Sequence, residues 1–196
     1  MTRLSEAIAF AARCHDGMLR KGTATPYIVH PMEVAAIAAS LTGDEDILCA
    51  CVLHDVAEDC GVTEAELISR FGVRTAQLVM SETQLCDGDP RQTWARRKQG
   101  AIDRIRHGDR AVKLIALADK LSNLRAIRRD YERDSDAMFF RFHQHDKRMH
   151  AWYYTSVLAL LRDEFSQTQE WQEMHAHVEY IFRDVLPEEA RGERVV

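Results

Sequence analysis

Ile47-Leu48-Cys49-Ala50-Cys51-Val52-Leu53-His54-Asp55-Val56-Ala57-Glu58-Asp59 is the stretch whose reading decides the fold. From Ile47 to Leu53 the side chains are apolar on every side of a helix, which is the pattern of a helix buried all round. His54, Asp55, Glu58 and Asp59 then break that pattern. At 100° per residue they share an arc of about 140°. A solvated acidic face would explain three carboxylates, but Cys51 and Ile47 lie on the same side, one and two turns earlier. Carboxylates entering a buried helix are costly without compensation, and a bound cation is the economical source of it.

Helical signals continue in both directions. Leu4 to Cys14 is Ala-rich and periodic. Gly17, Gly22 and Pro26 mark a loop over residues 15–30. Pro31 suits the first position of a helix running to about Leu41, with His30 as its cap. Asp44 caps the next, which is predicted to run unbroken to about Asp59. Thr63-Glu64-Ala65-Glu66 has the spacing of a capping box, and Gly72 separates that short helix from another ending near Glu82. A polar loop over 83–90 precedes helices near 91–107 and 110–129, split by His107-Gly108-Asp109. Residues 130–145 read as irregular. Helices over 146–165 and 167–185 follow, then a frayed end over 187–196. No internal repeat and no sustained period-two alternation is present. The fold class is therefore all-α, a bundle of roughly eight to ten helices in one domain over residues 1–186.

Composition narrows the partners. The 196 residues hold 26 Lys and Arg against 31 Asp and Glu, a net charge of −5. An extended polyanion needs a broad basic surface, so neither nucleic acid nor a polybasic membrane contact is expected. Only 9 glycines and 4 prolines occur, too few for a turn-dense β architecture or a linker-like chain. No apolar run approaches the roughly 18 residues of a membrane span. The opening MTRLSEAIAFAARCHDG carries Glu6 and reads as a first helix of a cytoplasmic protein rather than a signal peptide. The five cysteines match no zinc-binding spacing. Cys49 and Cys51 read as small apolar core residues.

Two further constellations carry chemistry. Asp119 lies within Val112-Lys113-Leu114-Ile115-Ala116-Leu117-Ala118-Asp119-Lys120-Leu121-Ser122-Asn123, on a stripe with Val112, Ile115, Asn123 and Ala126. A buried Asp needs a partner, and either a metal or a paired arginine would serve. Arg20-Lys21-Gly22 opens a loop that ends at Pro26-Tyr27-Ile28-Val29-His30-Pro31. It could grip phosphate, or the two basic residues could simply be solvated. His30, His54, Asp55 and Asp119 together supply two imidazoles and two carboxylates, a set that suits Mn²⁺, Fe²⁺, Zn²⁺ or Ni²⁺. Glu58 and Asp59, one turn beyond, are placed to orient or deprotonate a water.

In this order, His30, His54-Asp55 and Asp119 resemble the H…HD…D pattern of the HD-domain metal-dependent phosphohydrolases. The longer stretches around Arg20-Lys21-Gly22, His54-Asp55-x-x-Glu58-Asp59 and Leu117-Ala118-Asp119-Lys120-Leu121-Ser122-Asn123-Leu124-Arg125 are similar to the hydrolase domain of the Rel/SpoT alarmone enzymes. In length the chain is most similar to their stand-alone small alarmone hydrolases, which include the metazoan SpoT homologue. The resemblance spans roughly residues 1–165. It implies an HD-domain bundle that removes the 3′-diphosphate of a guanosine or adenosine alarmone, releasing pyrophosphate and the 5′-nucleotide. It also implies one Mn²⁺ held by His30, His54, Asp55 and Asp119, with Glu58 and Asp59 activating water. Arg20 and Lys21 would contact substrate at its base and phosphate end, and Asn123 and Arg125 would lie near the nucleoside. Residues 78–85 follow the family pattern only loosely.

Two rival readings use the same residues. One is another HD phosphohydrolase activity, such as a nucleotide or NADPH phosphatase. The other is a helical sensor that binds nucleotides without turning them over, although all six metal and water-activating positions are filled. Trp152, Tyr153 and Trp171 could serve a homodimer interface or pack in the core.

Overall fold

The computed structural model describes residues 2–83 and 89–187. Among these, the chain forms ten α-helices and one 3-10 segment, and no strand beyond an isolated bridge between Leu19 and Pro26. The all-α expectation is borne out. In order the helices are α1 (Arg3–Cys14), α2 (Val29–Ala39), α3 (Glu45–Leu53), α4 (Val56–Cys60), α5 (Glu64–Phe71), α6 (Val73–Glu82), α7 (Pro90–His107), α8 (Arg110–Asp134), α9 (Lys147–Phe165) and α10 (Gln169–Phe182). The 3-10 segment, Ser135–Arg141, joins α8 to α9.

The helix starts follow local chemistry. Asp44, Thr63, Asp89, Asp109, Asp146 and Thr168 each accept a hydrogen bond from a backbone N–H of the first turn they precede, meeting donors the helix cannot satisfy itself. Gly61 and Gly72 end α4 and α5 at φ values of 70° and 88°, where a side chain would be strained.

α8 is the axis of the bundle. Leu114 to Asp119, Leu121, Ser122, Leu124, Ile127 and Asp130 are all buried along it. It packs against α2, α3, α6, α9 and α10. α3, buried at Ile47 and from Cys49 to Leu53, packs between α1, α2 and α6. The two helices buried most completely thus lie against each other, and they carry the polar residues that the sequence singles out.

Three boundaries differ from expectation. α2 begins at Val29, so His30 lies inside its first turn rather than capping it. The amides of Val29 and His30 donate to the carbonyls of Pro26 and Tyr27, so the turn is wound before Pro31 arrives. Pro31 still falls within the first turn, where its missing N–H costs nothing. The predicted single helix over 44–59 is broken at His54-Asp55. His54 Nδ1 donates to the Cys51 carbonyl at 2.8 Å, the acceptor that a continuing α-helix assigns to the Asp55 amide. α8 runs to Asp134 rather than 129, because Asp130 is buried and ion-paired with Arg141 and Arg133.

Tyr153 and Trp171 pack in the core, with Trp171 Nε1 donating to the Leu158 carbonyl at 3.1 Å, and Trp152 is half-buried. Among the described residues no helix is long and apolar enough to cross a membrane. Most of the predicted loop over 83–90, the end of the loosely matching stretch 78–85, Cys86 and nearly all of the predicted frayed end over 187–196 lie outside the described residues.

Candidate active site

The helix break at His54-Asp55 is what builds the site. It turns both side chains toward His30 on α2 and Asp119 on α8. His30 Nε2 lies 3.1 Å from Asp119 Oδ1 and 3.8 Å from Asp55 Oδ2. His54 Nε2 lies 2.9 Å from Asp55 Oδ2 and 3.7 Å from Asp119 Oδ1. One ligand atom from each of His30, His54 and Asp55 falls within 4.8 Å of the others.

Both rings turn the same nitrogen inward. His54 commits Nδ1–H to the Cys51 carbonyl, and its buried Nε2 finds no hydrogen-bond partner among the described residues. A ring nitrogen facing two carboxylate oxygens is stable only with positive charge between them. Burial opposes charging His54, but Asp55 and Asp119 outweigh it and push the imidazole up to about 9. The space between these atoms is where a divalent cation would meet all the donors at once. Two neutral imidazoles and two carboxylates also neutralise a divalent charge. The residues present therefore fit a metal ion with mixed nitrogen and oxygen ligands.

Asp119 is held by three further groups. Asn123 Nδ2 donates to its Oδ1 at 2.6 Å, Lys120 Nζ reaches its Oδ2, and His30 stands opposite. Burial works against ionisation, but Lys120 and the two histidines keep the carboxyl well below the usual range. Asp55 accepts from the Tyr27 hydroxyl at 2.7 Å. Burial and Asp55 hold the Tyr27 phenol well above its ordinary value, so it remains a donor.

These groups line a polar cavity of about 180 Å³. Glu58, from α4, lines the same cavity. Asp59 does not line it; burial and Asp55 raise its carboxyl, and it meets Tyr27 instead. The remaining wall carries four cations, Arg20, Arg97, Lys98 and Lys120, together with Glu82, Tyr153 and Tyr154. Arg20 donates to Asn123 Oδ1 at 2.7 Å. Lys98 Nζ sits 4.5 Å from the Tyr153 ring centroid. Burial and then the Lys120 charge push its ammonium down to about 8. A second cavity of about 330 Å³ adjoins the first. The two share Arg20, Tyr27, Lys98, Asn123, Tyr153 and Tyr154, and the second adds Trp94, Ile127 and Phe142. One end is therefore charged, and the other mixes aromatic and apolar side chains with Lys21, Asp130 and Arg141.

Of the residues singled out from the sequence, His30, His54, Asp55, Glu58, Asp119, Arg20 and Asn123 converge on the first cavity. Lys21 lines the second. Arg125 was expected near the nucleoside but lines neither cavity. Its guanidinium bonds Glu173 through Nε and Nη2, at 2.7 Å each, and Glu33 through Nη1 at 3.2 Å. Arg97, Lys98, Lys120, Glu82 and Tyr153 also line the cavity, and no sequence motif marks them as site residues. Arg96-Arg97-Lys98 looks like a solvated charge run, and Tyr153 looks like packing. Trp94, one turn before Lys98, was the available sign that α7 turns an aromatic and a cation the same way.

The family model of the HD domain matches residues 7–142. The chain belongs to the HD domain family. This HD domain is 39% identical over 130 residues to the human guanosine-3′,5′-bis(diphosphate) 3′-pyrophosphohydrolase MESH1, an alignment covering 65% of this chain and 70% of that protein. It is 35% identical over 130 residues to a guanosine-3′,5′-bis(diphosphate) 3′-pyrophosphohydrolase of Vibrio cholerae, covering 63% of this chain but 18% of that protein. The match thus spans under a fifth of the long bacterial relative. A solved structure described as a metazoan ortholog of SpoT that hydrolyzes ppGpp superposes with a TM-score of 0.72 at 26% identity, covering 94% of this chain and 96% of that one. The likeness to stand-alone alarmone hydrolases expected from the motifs is borne out.

Proposed function

We propose that this HD domain hydrolyses the 3′-diphosphate of a guanosine 3′,5′-bis(diphosphate)-type alarmone, releasing pyrophosphate and the 5′-nucleotide. The observation that carries this reading is a cavity with His30, His54, Asp55 and Asp119 at its floor and four cations on its wall. A monoanion needs no such density of positive charge, whereas two diphosphates do. The adjoining aromatic cavity suits a purine base, and the relatives named above act on guanosine 3′,5′-bis(diphosphate) or ppGpp.

His30, His54, Asp55 and Asp119 would hold the metal, which we take to be Mn²⁺. When bound it supplies Lewis-acid polarisation of phosphate oxygens and acidifies a water. The rest falls to the protein. Glu58 takes the proton of the attacking water: of the two cavity carboxylates that the ligand set does not use, it stands one turn beyond His54-Asp55, whereas Glu82 faces Lys120 at 3.9 Å. Asp59 stands beside Tyr27 and would act through it, its charge helping to keep the phenol a protonated donor to Asp55. Lys98, Lys120, Arg97 and Arg20 neutralise phosphate oxygens, and Asn123 keeps Arg20 and Asp119 in register. Lys21 lines the adjoining cavity, on the side of the base. We place the activity in the cytoplasm, where Cys14, Cys49, Cys51 and Cys60 stay free thiols, and take residues 1–186 as one hydrolase unit.

The test is product analysis across guanosine and adenosine 3′,5′-bis(diphosphates), with Mn²⁺ added and chelated. Metal-dependent pyrophosphate release is expected. Orthophosphate as the sole product would transfer the site to a phosphatase. Tight binding without turnover would make it a sensor.

A further inference from the structure

His30 reaches outward as well as inward. Its Nδ1 lies 2.9 Å from Ser122 Oγ, one turn along α8 from Asp119. Ser122 Oγ lies 2.8 Å from Glu33 Oε2, on α2 one turn beyond His30. A carboxylate only accepts, so the single hydroxyl hydrogen of Ser122 goes to Glu33. The Ser122 oxygen is then left to accept from His30 Nδ1–H. This polarity leaves the Nε2 lone pair facing Asp55 and Asp119. Beyond Glu33, Arg125 bridges Glu33 to Glu173 on α10, and the pair with Glu173 is bidentate. His177 Nε2 lies 3.3 Å from Glu173 Oε1.

We infer that Ser122, Glu33 and Arg125 form a relay that sets the tautomer and aim of His30 as a metal ligand, with α10 as its anchor through Glu173. None of the three lines the polar cavity together with the ligand set, so they are positioning residues rather than catalytic ones. The arrangement has a physical logic. A ligand histidine whose second nitrogen donates to an anchored hydroxyl, itself polarised by a carboxylate, is more basic and cannot swing. Ser122 is 1% exposed, so without its oxygen the Nδ1–H of His30 would be buried unpaired. Arg125 holds the Glu33 carboxylate in place, which explains why it faces away from the cavity. The C-terminal helix, outside the segment matched to the HD domain, thereby reaches the centre of the site.

The proposal rests on His30 being a ligand, and its readout is therefore metal binding with no substrate present. The experiment titrates Mn²⁺ alone into metal-free wild type, Glu33→Gln, Ser122→Ala and the double variant, with circular dichroism reporting the fold of each. Glu33 is partly exposed, so Glu33→Gln leaves the fold intact. Each single variant is expected to bind Mn²⁺ at least about tenfold more weakly. The double variant should lose no more than the larger single loss, because both act through one chain. Co²⁺-substituted Glu33→Gln should show a shifted visible absorption band. Folded Glu33→Gln with wild-type Mn²⁺ affinity and an unshifted Co²⁺ spectrum overturns the relay, as does full additivity in the double variant. A protein that fails to release pyrophosphate yet shows these affinity losses would refute the substrate assignment and support the relay.

Discussion

Replacing Lys98 by Met separates what the cationic wall costs the fold from what it does for substrate. Lys98 sits beside Lys120 and Arg97, and its ammonium falls from an ordinary 10.5 to about 8. Burial is the main cause, followed by Lys120. Between those two values the unfolded chain binds more protons at this position than the folded one, so stability rises with pH across the window. Below pH 8 the whole cost of the charged group is present, about 3 kcal/mol at the conversion of 1.36 kcal/mol per pH unit. Met removes it but also removes the cation–π contacts with Tyr153 and Trp94, worth about 0.5–2 kcal/mol. The variant should therefore be about 1–2 kcal/mol more stable at pH 7, raising Tm by about 2–8 °C for a chain of this size. Its advantage should disappear as pH rises from about 8 to 10.5. The same change removes a charge-assisted bond to phosphate, so KM should rise about 10- to 100-fold. Urea melts at pH 7 and pH 10.5, with steady-state kinetics on the same preparations, measure both. A variant less stable at pH 7 with an unchanged KM would refute the reasoning.

Other expectations follow from the same geometry. Glu58→Gln should retain stoichiometric metal by elemental analysis yet lose about 10²–10⁴-fold in kcat; full activity would remove Glu58 from the role of base. Arg20→Ala should raise KM more than it lowers kcat, since it removes binding made equally in ground and transition states. It also frees Asn123, which Arg20 holds at 2.7 Å. Adding Mn²⁺ at about 100 times its Kd should stabilise the fold by about 2.7 kcal/mol, seen as a higher Tm that chelator reverses; a Tm indifferent to Mn²⁺ would count against the ligand set.

What was legible in the sequence was chemistry carried by contiguous motifs and by helix starts. Asp44, Thr63 and Asp109 announce their helices because a cap is a local bond. His54-Asp55 and Asp119 stand out because charge interrupts apolar helix. The break between α3 and α4 was not legible. It depends on a side-chain bond from His54 to the Cys51 carbonyl, and periodicity carries no trace of it. The length of α8 was hidden for a related reason. Arg129-Asp130-Tyr131 looks solvated, yet Arg141, arriving from the 3-10 segment, pairs with buried Asp130. Lys98 was hidden because a lysine reads the same in solvent or against an aromatic wall. Arg125 was misplaced because its motif says only that an arginine follows the last ligand by six residues. Its direction comes from Glu33 and Glu173, on two other helices. The net charge of −5 describes the surface and not the cavity, whose wall is set by four cations facing the ligand carboxylates.

The most direct test of the central claim is turnover of guanosine 3′,5′-bis(diphosphate) in ¹⁸O-labelled water with Mn²⁺, with mass spectrometry of both products. Attack by a Glu58-activated water on the 3′-phosphorus predicts one labelled oxygen in the released pyrophosphate and an unlabelled 3′-hydroxyl on the nucleotide, with no turnover after chelation. Labelled orthophosphate with no pyrophosphate, or label on the nucleotide, would contradict it.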